Sequence, residues 1–347
     1  MNATADVLGP GYEAIELPLG EDAEGEVVAT LVRRRGERPS RRAVLYVHGF
    51  VDYFFQRHLA DFYVARGYDF YALDLRKYGR SLRPHQTPNF VRSLSEYFPE
   101  IDEAVRIVRA EDGHDTLLLN GHSTGGLIAA LYADRVRGRG LVDGLFLNSP
   151  WFDIAEPWPL AKAGAGLARI LGGRFPTAKL PAGVSDLYPR SLHRDHEGEW
   201  EFDLTWKPLL GFPVRAGWLD AIRRGQLRLH RGLAIDAPVL VMASARSVRP
   251  KRSHVIADLT GADAVLDVEH MARYAPRLGP VVTLVRIDGG LHDLVLSAAP
   301  VRERVFAELD RWMRGYLPAG VETGAEGRAE AEAKDEAEGR DGAEVSP

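Results

Sequence analysis

Leu117-Leu118-Leu119-Asn120-Gly121-His122-Ser123-Thr124-Gly125-Gly126-Leu127-Ile128-Ala129-Ala130 runs from an apolar series into a glycine-flanked serine and out into a second apolar series. That pattern describes a strand, a sharp turn and a helix, with Ser123 at the turn. The G-x-S-x-G spacing has a steric reason: the turn brings its flanks so close that side chains at Gly121 and Gly125 would meet neighbouring backbone, while the serine Oγ is held out above a sheet edge. A serine in an ordinary strand-to-helix turn, or at an N-cap, gives the same short pattern, so its surroundings must decide.

The 347 residues are 45% hydrophobic, enough for a large core and for one α/β domain carrying an insertion. The absence of cysteine excludes disulfides, thiolate metal sites and a cysteine nucleophile, and suits a reducing compartment. Met1 to Val7 shows no basic segment followed by an apolar one, and no stretch approaches the roughly 20 apolar residues of a membrane span, so a soluble cytoplasmic protein without a transmembrane segment is expected. Net charge is −5, but nine acidic and three basic residues lie from Pro318 onward, leaving the body near neutral. Such a balance gives no support for nucleic-acid binding. Arg33-Arg34-Arg35 and Arg41-Arg42 flank a turn at 36–40 and read as a solvated hairpin loop.

In chain order, 13–17 and 27–32 read as antiparallel edge strands. The run 43–47 reads as a strand buried on both faces, ending in His48-Gly49-Phe50. A helix over 54–66 and a strand over 68–74 follow, then a helix marked by Ile101, Val105 and Val108, the nucleophile strand with its helix, and a strand over 141–147 ending at Asn148-Ser149-Pro150. This alternation predicts an α/β fold with a mostly parallel central sheet flanked by helices. Residues 151–235 break the rhythm with prolines and five of the six tryptophans (Trp151, Trp158, Trp200, Trp206, Trp218), and read as an inserted, mostly helical cap. The sheet resumes over 238–243 and 281–287, with a helix near 268–274 between them and a final helix through Val301, Val305, Leu309 and Trp312. The expected division is therefore a first core part at 1–150, the cap at 151–235, a second core part at 236–317, and a disordered acidic tail at 318–347.

His48-Gly49-Phe50, Gly121-His122-Ser123-Thr124-Gly125-Gly126 and Gly290-Leu291-His292-Asp293, each following a strand and in this order, resemble the α/β-hydrolase fold. Within it they are most similar to the capped serine hydrolases: monoglyceride lipases, lysophospholipases and serine-aminopeptidase-like enzymes. The resemblance covers about residues 12–317 and implies the chain order nucleophile, acid, histidine.

On that basis Ser123 is the candidate nucleophile and His292, in a Gly-rich loop directly after a strand, the candidate base. The acid must sit on the loop after the strand near 239–242, to hold the imidazole tautomer and stabilise imidazolium. Asp263 matches the place where relatives carry it; Asp267 is the rival, although it suits the N-cap of the helix at Val268, and Asp258 stands third. About twenty residues separate the strand end from Asp263, longer than the short turn usual in the family. The resemblance places the oxyanion-hole N–H groups at Phe50 and Thr124, with His48 bracing their loop, Gly49 permitting close approach, and His122 in a packing or hydrogen-bonding role.

No His-x-x-x-His pattern or carboxylate cluster has ligand spacing, so no metal and no cofactor is expected. The expected activity is hydrolysis of a small-molecule carboxylic ester with an apolar acyl or aromatic part, the cap aromatics Phe152, Phe202 and Phe212 and the tryptophans offering a lining. Amide cleavage of the aminopeptidase kind and a non-catalytic binding protein on the same fold are the alternatives. Serine at 123, where dehalogenation needs a carboxylate, disfavours that chemistry. The residues set no oligomeric state.

Overall fold

The computed structural model describes residues 3–154, 172–180, 185–251 and 253–317. Its centre is a nine-stranded sheet: β1 (Ala3–Ala5), β2 (Glu13–Asp22), β3 (Gly25–Arg34), β4 (Arg42–Val47), β5 (Asp69–Asp74), β6 (Thr116–His122), β7 (Gly144–Asn148), β8 (Val239–Ser244) and β9 (Val282–Ile287), in the spatial order β1-β2-β3-β5-β4-β6-β7-β8-β9. β1, β2, β3 and β5 pair antiparallel in succession, and β5, β4, β6, β7, β8 and β9 pair parallel. The expected α/β class, with its mostly parallel sheet, is the observed one.

Continuous apolar runs form the parallel strands because both faces of the sheet are covered. Leu117 and Leu119 of β6 face one core and Leu118 the other; on β4, Leu45 and Val47 face the first and Val44 and Tyr46 the second. Fully burying one such leucine contributes about 1.5–3 kcal/mol, so the central strands are held inside the sheet by their own composition. Helices α1 (Arg57–Val64), α2 (Phe98–Arg106) and α3 (Thr124–Arg135) follow β4, β5 and β6, and further helices span Leu187–Leu192, Ala216–His230, Val268–Tyr274 and Ala299–Tyr316.

Two readings need correction. The stretch 36–40 is no hairpin, because β3 pairs with β5 rather than with β4, and β5 lies between them. Four of the five flanking arginines are held in ion pairs, Arg33 with Glu13 and Asp112, Arg34 with Asp61, Arg35 with Asp112 and Arg41 with Asp115, while Arg42 donates to Arg66 O. The helix expected over 54–66 runs only from Arg57 to Val64, and residues 53–55 before it carry no regular structure and bury their rings. Of the segment read as a cap, 155–171 and 181–184 lie outside the described residues, as does the acidic tail from 318. Among the described residues no helix is long and apolar enough to cross a membrane.

Candidate active site

β6 delivers Ser123 to its C-terminal edge at φ 54° and ψ −117°, a backbone region that costs a side-chain-bearing residue about 1–3 kcal/mol unless its surroundings impose it. They do. The Ser123 N–H donates to Asn148 O at 3.0 Å, and Ser123 O accepts from Gly126 N and Trp151 N, each at 3.0 Å. A Cβ at Gly121 would stand 2.7 Å from Gly125 O, and one at Gly125 would drive into the carbonyls of His48 and Val47. The glycines of the motif are thus required by contact between β6, α3 and the end of β4.

His292 lies in the turn after β9, its Nε2 3.0 Å from Ser123 Oγ and its Nδ1 2.8 Å from Asp263 Oδ2. Because the carboxylate can only accept, Nδ1 carries the proton and Nε2 is left to accept from the serine hydroxyl. The second oxygen, Asp263 Oδ1, accepts from Val265 N at 2.8 Å and Leu266 N at 2.7 Å. Asp263 is fully buried, and Ser123 and His292 nearly so. Asp267 caps the helix Val268–Tyr274 through Glu269 N at 3.0 Å, and Asp258 Oδ2 accepts from Val255 N at 2.8 Å within its own turn. Neither of them is the residue that meets His292.

The long interval before Asp263 has a simple geometry. Asp263 pairs with Ser247 in an isolated parallel bridge, with Asp263 N donating to Arg246 O at 3.0 Å and Val248 N to Asp263 O at 2.8 Å. The chain leaves β8, makes an excursion and returns to a point three residues past the strand's end.

Gly49 brings the segment after β4 against Ser123: a Cβ there would stand 3.1 Å from Ser123 Cβ. Phe50 N–H and Thr124 N–H, the two candidate oxyanion donors, have no acceptor among the described residues, and Thr124 opens α3, where first-turn N–H groups have no intrahelical partner. His48 Nε2 accepts from Leu75 N at 3.1 Å, so Nδ1 donates to Gly49 O at 2.8 Å. Burial lowers the His48 pKa and keeps it neutral in this double role. Asp52 Oδ2 accepts from Gly49 N at 3.4 Å, while its Oδ1 meets Lys207 Nζ at 2.5 Å. Burial raises the Asp52 pKa, but Lys207, by charge and by hydrogen bond, together with the neighbouring His122 and His48 outweighs it and holds the carboxyl below its ordinary value.

Sequence reasoning missed the residue that joins the two halves of this site. Asn148 ends β7; its O accepts from Ser123 N and from His122 Nδ1 (3.2 Å), its Nδ2 donates to Asp293 Oδ1 (2.7 Å), and its Oδ1 accepts from Leu294 N (3.2 Å). One residue therefore sets the His292 turn relative to the Ser123 turn, its main chain holding one and its side chain the other. Tyr188 OH accepts from Asp293 N at 2.9 Å, and Gln56 Nε2 donates to Asp293 Oδ2 at 3.2 Å. The available signal was an asparagine closing an otherwise apolar strand at the level of Ser123. Aromatic rings stand beside the site: Phe50 stacks on Trp218 at 4.0 Å and Trp218 lies 5.8 Å from Trp151. Trp200 instead stacks on His58 and donates to Leu296 O, and Trp158 is outside the described residues.

Residues 38–297 match the family model described as serine aminopeptidase, S33. The chain belongs to that family of α/β hydrolases. It is thus a hydrolase by descent, and its fold has solved counterparts. A soluble variant of monoglyceride lipase from Saccharomyces cerevisiae superposes with a TM-score of 0.63 at 18% identity, covering 86% of this chain and 94% of that one. Monoacylglycerol lipase from Paleococcus ferrophilus gives 0.62 at 20% identity, with 82% and 99% covered. Est1E from Butyrivibrio proteoclasticus with bound ferulic acid gives 0.55 at 16% identity, with 87% and 100% covered. No curated protein sequence matches the chain. At these identities the structural likenesses speak for the fold alone.

Proposed function

We propose that this S33-family hydrolase cleaves carboxylic esters through an acyl-enzyme on Ser123. The observation that carries the reading is the relay from Ser123 Oγ to His292 Nε2 at 3.0 Å and from His292 Nδ1 to Asp263 at 2.8 Å, starting from a serine held on a strained turn. Ser123 Oγ attacks the ester carbonyl while His292 Nε2 takes its proton. The new oxyanion accepts from Phe50 and Thr124 N–H, whose fixed dipoles stabilise it without reorganisation. The tetrahedral intermediate collapses, the C–O bond to the alcohol breaks, and His292 returns the proton to the departing oxygen. Water, deprotonated by the same imidazole, then attacks the acyl-enzyme; the acyl C–O bond to Ser123 Oγ breaks, the acid leaves, and His292 returns the proton to Ser123 Oγ. Asp263 keeps Nδ1 protonated throughout and stabilises the imidazolium.

An ester with an apolar or aromatic acyl part is favoured by the Phe50, Trp218 and Trp151 rings beside the turn and agrees with the acylglycerol and ferulate-binding counterparts. Cleavage at a free amino terminus, which the family's description names, needs an anion free to hold an ammonium. Asp52, the carboxylate bound to the loop at Gly49, is already paired with Lys207, so ester cleavage is the stronger reading.

The test is a panel of p-nitrophenyl esters graded by acyl length, run beside aminoacyl anilides and fluorophosphonate labelling, on the wild type and Ser123→Ala. Ester turnover and labelling in the wild type and neither in the variant are expected. Turnover that persists in Ser123→Ala would overturn the mechanism, and an unlabelled, inactive wild type would favour a binding protein.

A further inference from the structure

Five of the six residues 50–55, which follow Gly49, are met by the segment 202–218, in reversed order along the chain, while Phe54 turns into the core against Tyr46 and Phe70. Phe50 stacks on Trp218 at 4.0 Å; a Cβ at Gly211 would lie 3.7 Å from Val51 Cγ2; Asp52 pairs with Lys207 at 2.5 Å. Tyr53 OH accepts from Asp203 N at 2.6 Å and its ring sits edge-on to Trp206 at 5.1 Å, and Phe55 packs on Phe202 at 5.1 Å. The two segments are zipped together almost residue by residue.

The lower strand of this zipper is strained. Val51 is held at φ 49°, where a β-branched side chain is a backbone outlier that persists only if its neighbours impose it. The flanking Phe50 N–H is the candidate oxyanion donor, and its direction depends on that same strained turn. Asp52 is where the imposition is electrostatic: one oxygen accepts from Gly49 N, the other meets Lys207, and the pair is buried, with 2% of the Asp52 and 13% of the Lys207 side chain exposed. Lys207 Nζ also lies 5.5 Å from the Phe55 ring centre and 5.6 Å from that of Phe202, where the rings' π-faces attract the cation. Its aliphatic stem and charged end are thus both fixed.

We infer that Lys207 is a positioning residue for the oxyanion loop: through Asp52 and Gly49 it holds the Phe50 N–H in its reactive direction, so that the hole is complete only while 202–218 is seated on 50–55. This rests on the hydrolase reading above. Seating contributes to the transition state, where the oxygen carries charge, and little to substrate binding.

Three variants test it: Lys207→Met, which keeps the stem; Lys207→Arg, which keeps the charge; and Val51→Gly, which removes the strain. Lys207→Met is expected to lower kcat about tenfold with KM within about twofold, since loss of alignment at an oxyanion donor costs transition-state stabilisation. It should weaken a trifluoromethyl ketone, which forms an oxyanion on Ser123, by a similar factor. Lys207→Arg should recover most of the loss, and Val51→Gly combined with Lys207→Met should recover part of it. Amide hydrogen exchange at 49–55, a readout independent of turnover, should quicken about tenfold in Lys207→Met while β4 and β6 stay protected. A folded Lys207→Met with unchanged kcat, or with its whole deficit in KM, overturns the inference, as does unchanged exchange at 49–55. Quickened exchange in a protein whose wild type turns over no ester leaves the coupling standing and removes the hydrolase reading instead.

Discussion

Asp263 divides its two oxygens between His292 and a pair of backbone N–H groups, and that division makes an asparagine substitution diagnostic. In Asp263→Asn the oxygen stays with Val265 and Leu266 N–H, the amide nitrogen is turned toward His292, and Nδ1 must become the acceptor. Nε2 then carries the proton and cannot take one from Ser123, so kcat should fall about 10⁴-fold with the fold intact. Asp267→Ala removes a helix cap, costing about 1 kcal/mol, and should leave kcat unchanged. Measuring kcat and the midpoint of urea unfolding on both variants separates the two carboxylates, and the opposite pattern would reassign the acid. Ser123→Ala should lower kcat by about 10⁵-fold or more, the usual cost of deleting a serine nucleophile, with an unaltered melting curve.

At the scale of elements, β6, its turn and α3 are closed by backbone contact, while the histidine turn is closed by side chains. Gly125→Ala pushes a methyl into the His48 and Val47 carbonyls, which cannot move without shifting β4; a loss of about 3 kcal/mol or failure to fold is expected. Asn148→Ala instead leaves the buried Asp293 Oδ1 with only the Val295 N–H of its own turn at 3.3 Å, costing about 1–3 kcal/mol. It should also lower kcat, because the Ser123 to His292 distance is no longer set, and paired unfolding and kinetic measurements on this variant check both effects. These two cases show why some of the architecture was legible in the sequence. A steric demand leaves glycine as its mark, and a strand buried on both faces leaves a continuous apolar run such as Leu117 to Leu119, so the nucleophile turn and the parallel strands could be read directly. Asn148, Tyr188 and Gln56 act through hydrogen bonds between segments far apart in the chain, and a lone polar residue, even one closing an apolar strand as Asn148 does, does not name its partners. The arginines at 33–42 misled for the same reason: their partners Asp61, Asp112 and Asp115 lie remote in sequence, and a charge run read locally suggests only solvent.

For the whole molecule, five histidines, His48, His58, His114, His122 and His230, have pKa values lowered, in each case first by burial. Above their ordinary value of 6.5 both folded and unfolded chains hold them neutral and they do not affect stability. As pH falls below it, the unfolded chain binds protons that the folded chain refuses, so stability decreases with falling pH. The melting temperature should therefore be lower at pH 5.5 than at pH 7.5, and an equal or higher value at 5.5 would contradict the burial of these rings. The site itself is spread along the chain in a way that has a bearing on how the molecule is made. The bond between Ser123 and His292 closes a span of 169 residues, and Asp263 enters from within that span. During synthesis the Ser123 turn can form only once β4, β6, α3 and β7 as far as Trp151 have emerged, and on the proposed mechanism its serine has no base until β9 and the turn beyond it have left the ribosome and docked. On that mechanism a nascent chain should be chemically silent, and the capacity to be labelled by a fluorophosphonate should return in refolding only when β9 and the His292 turn dock.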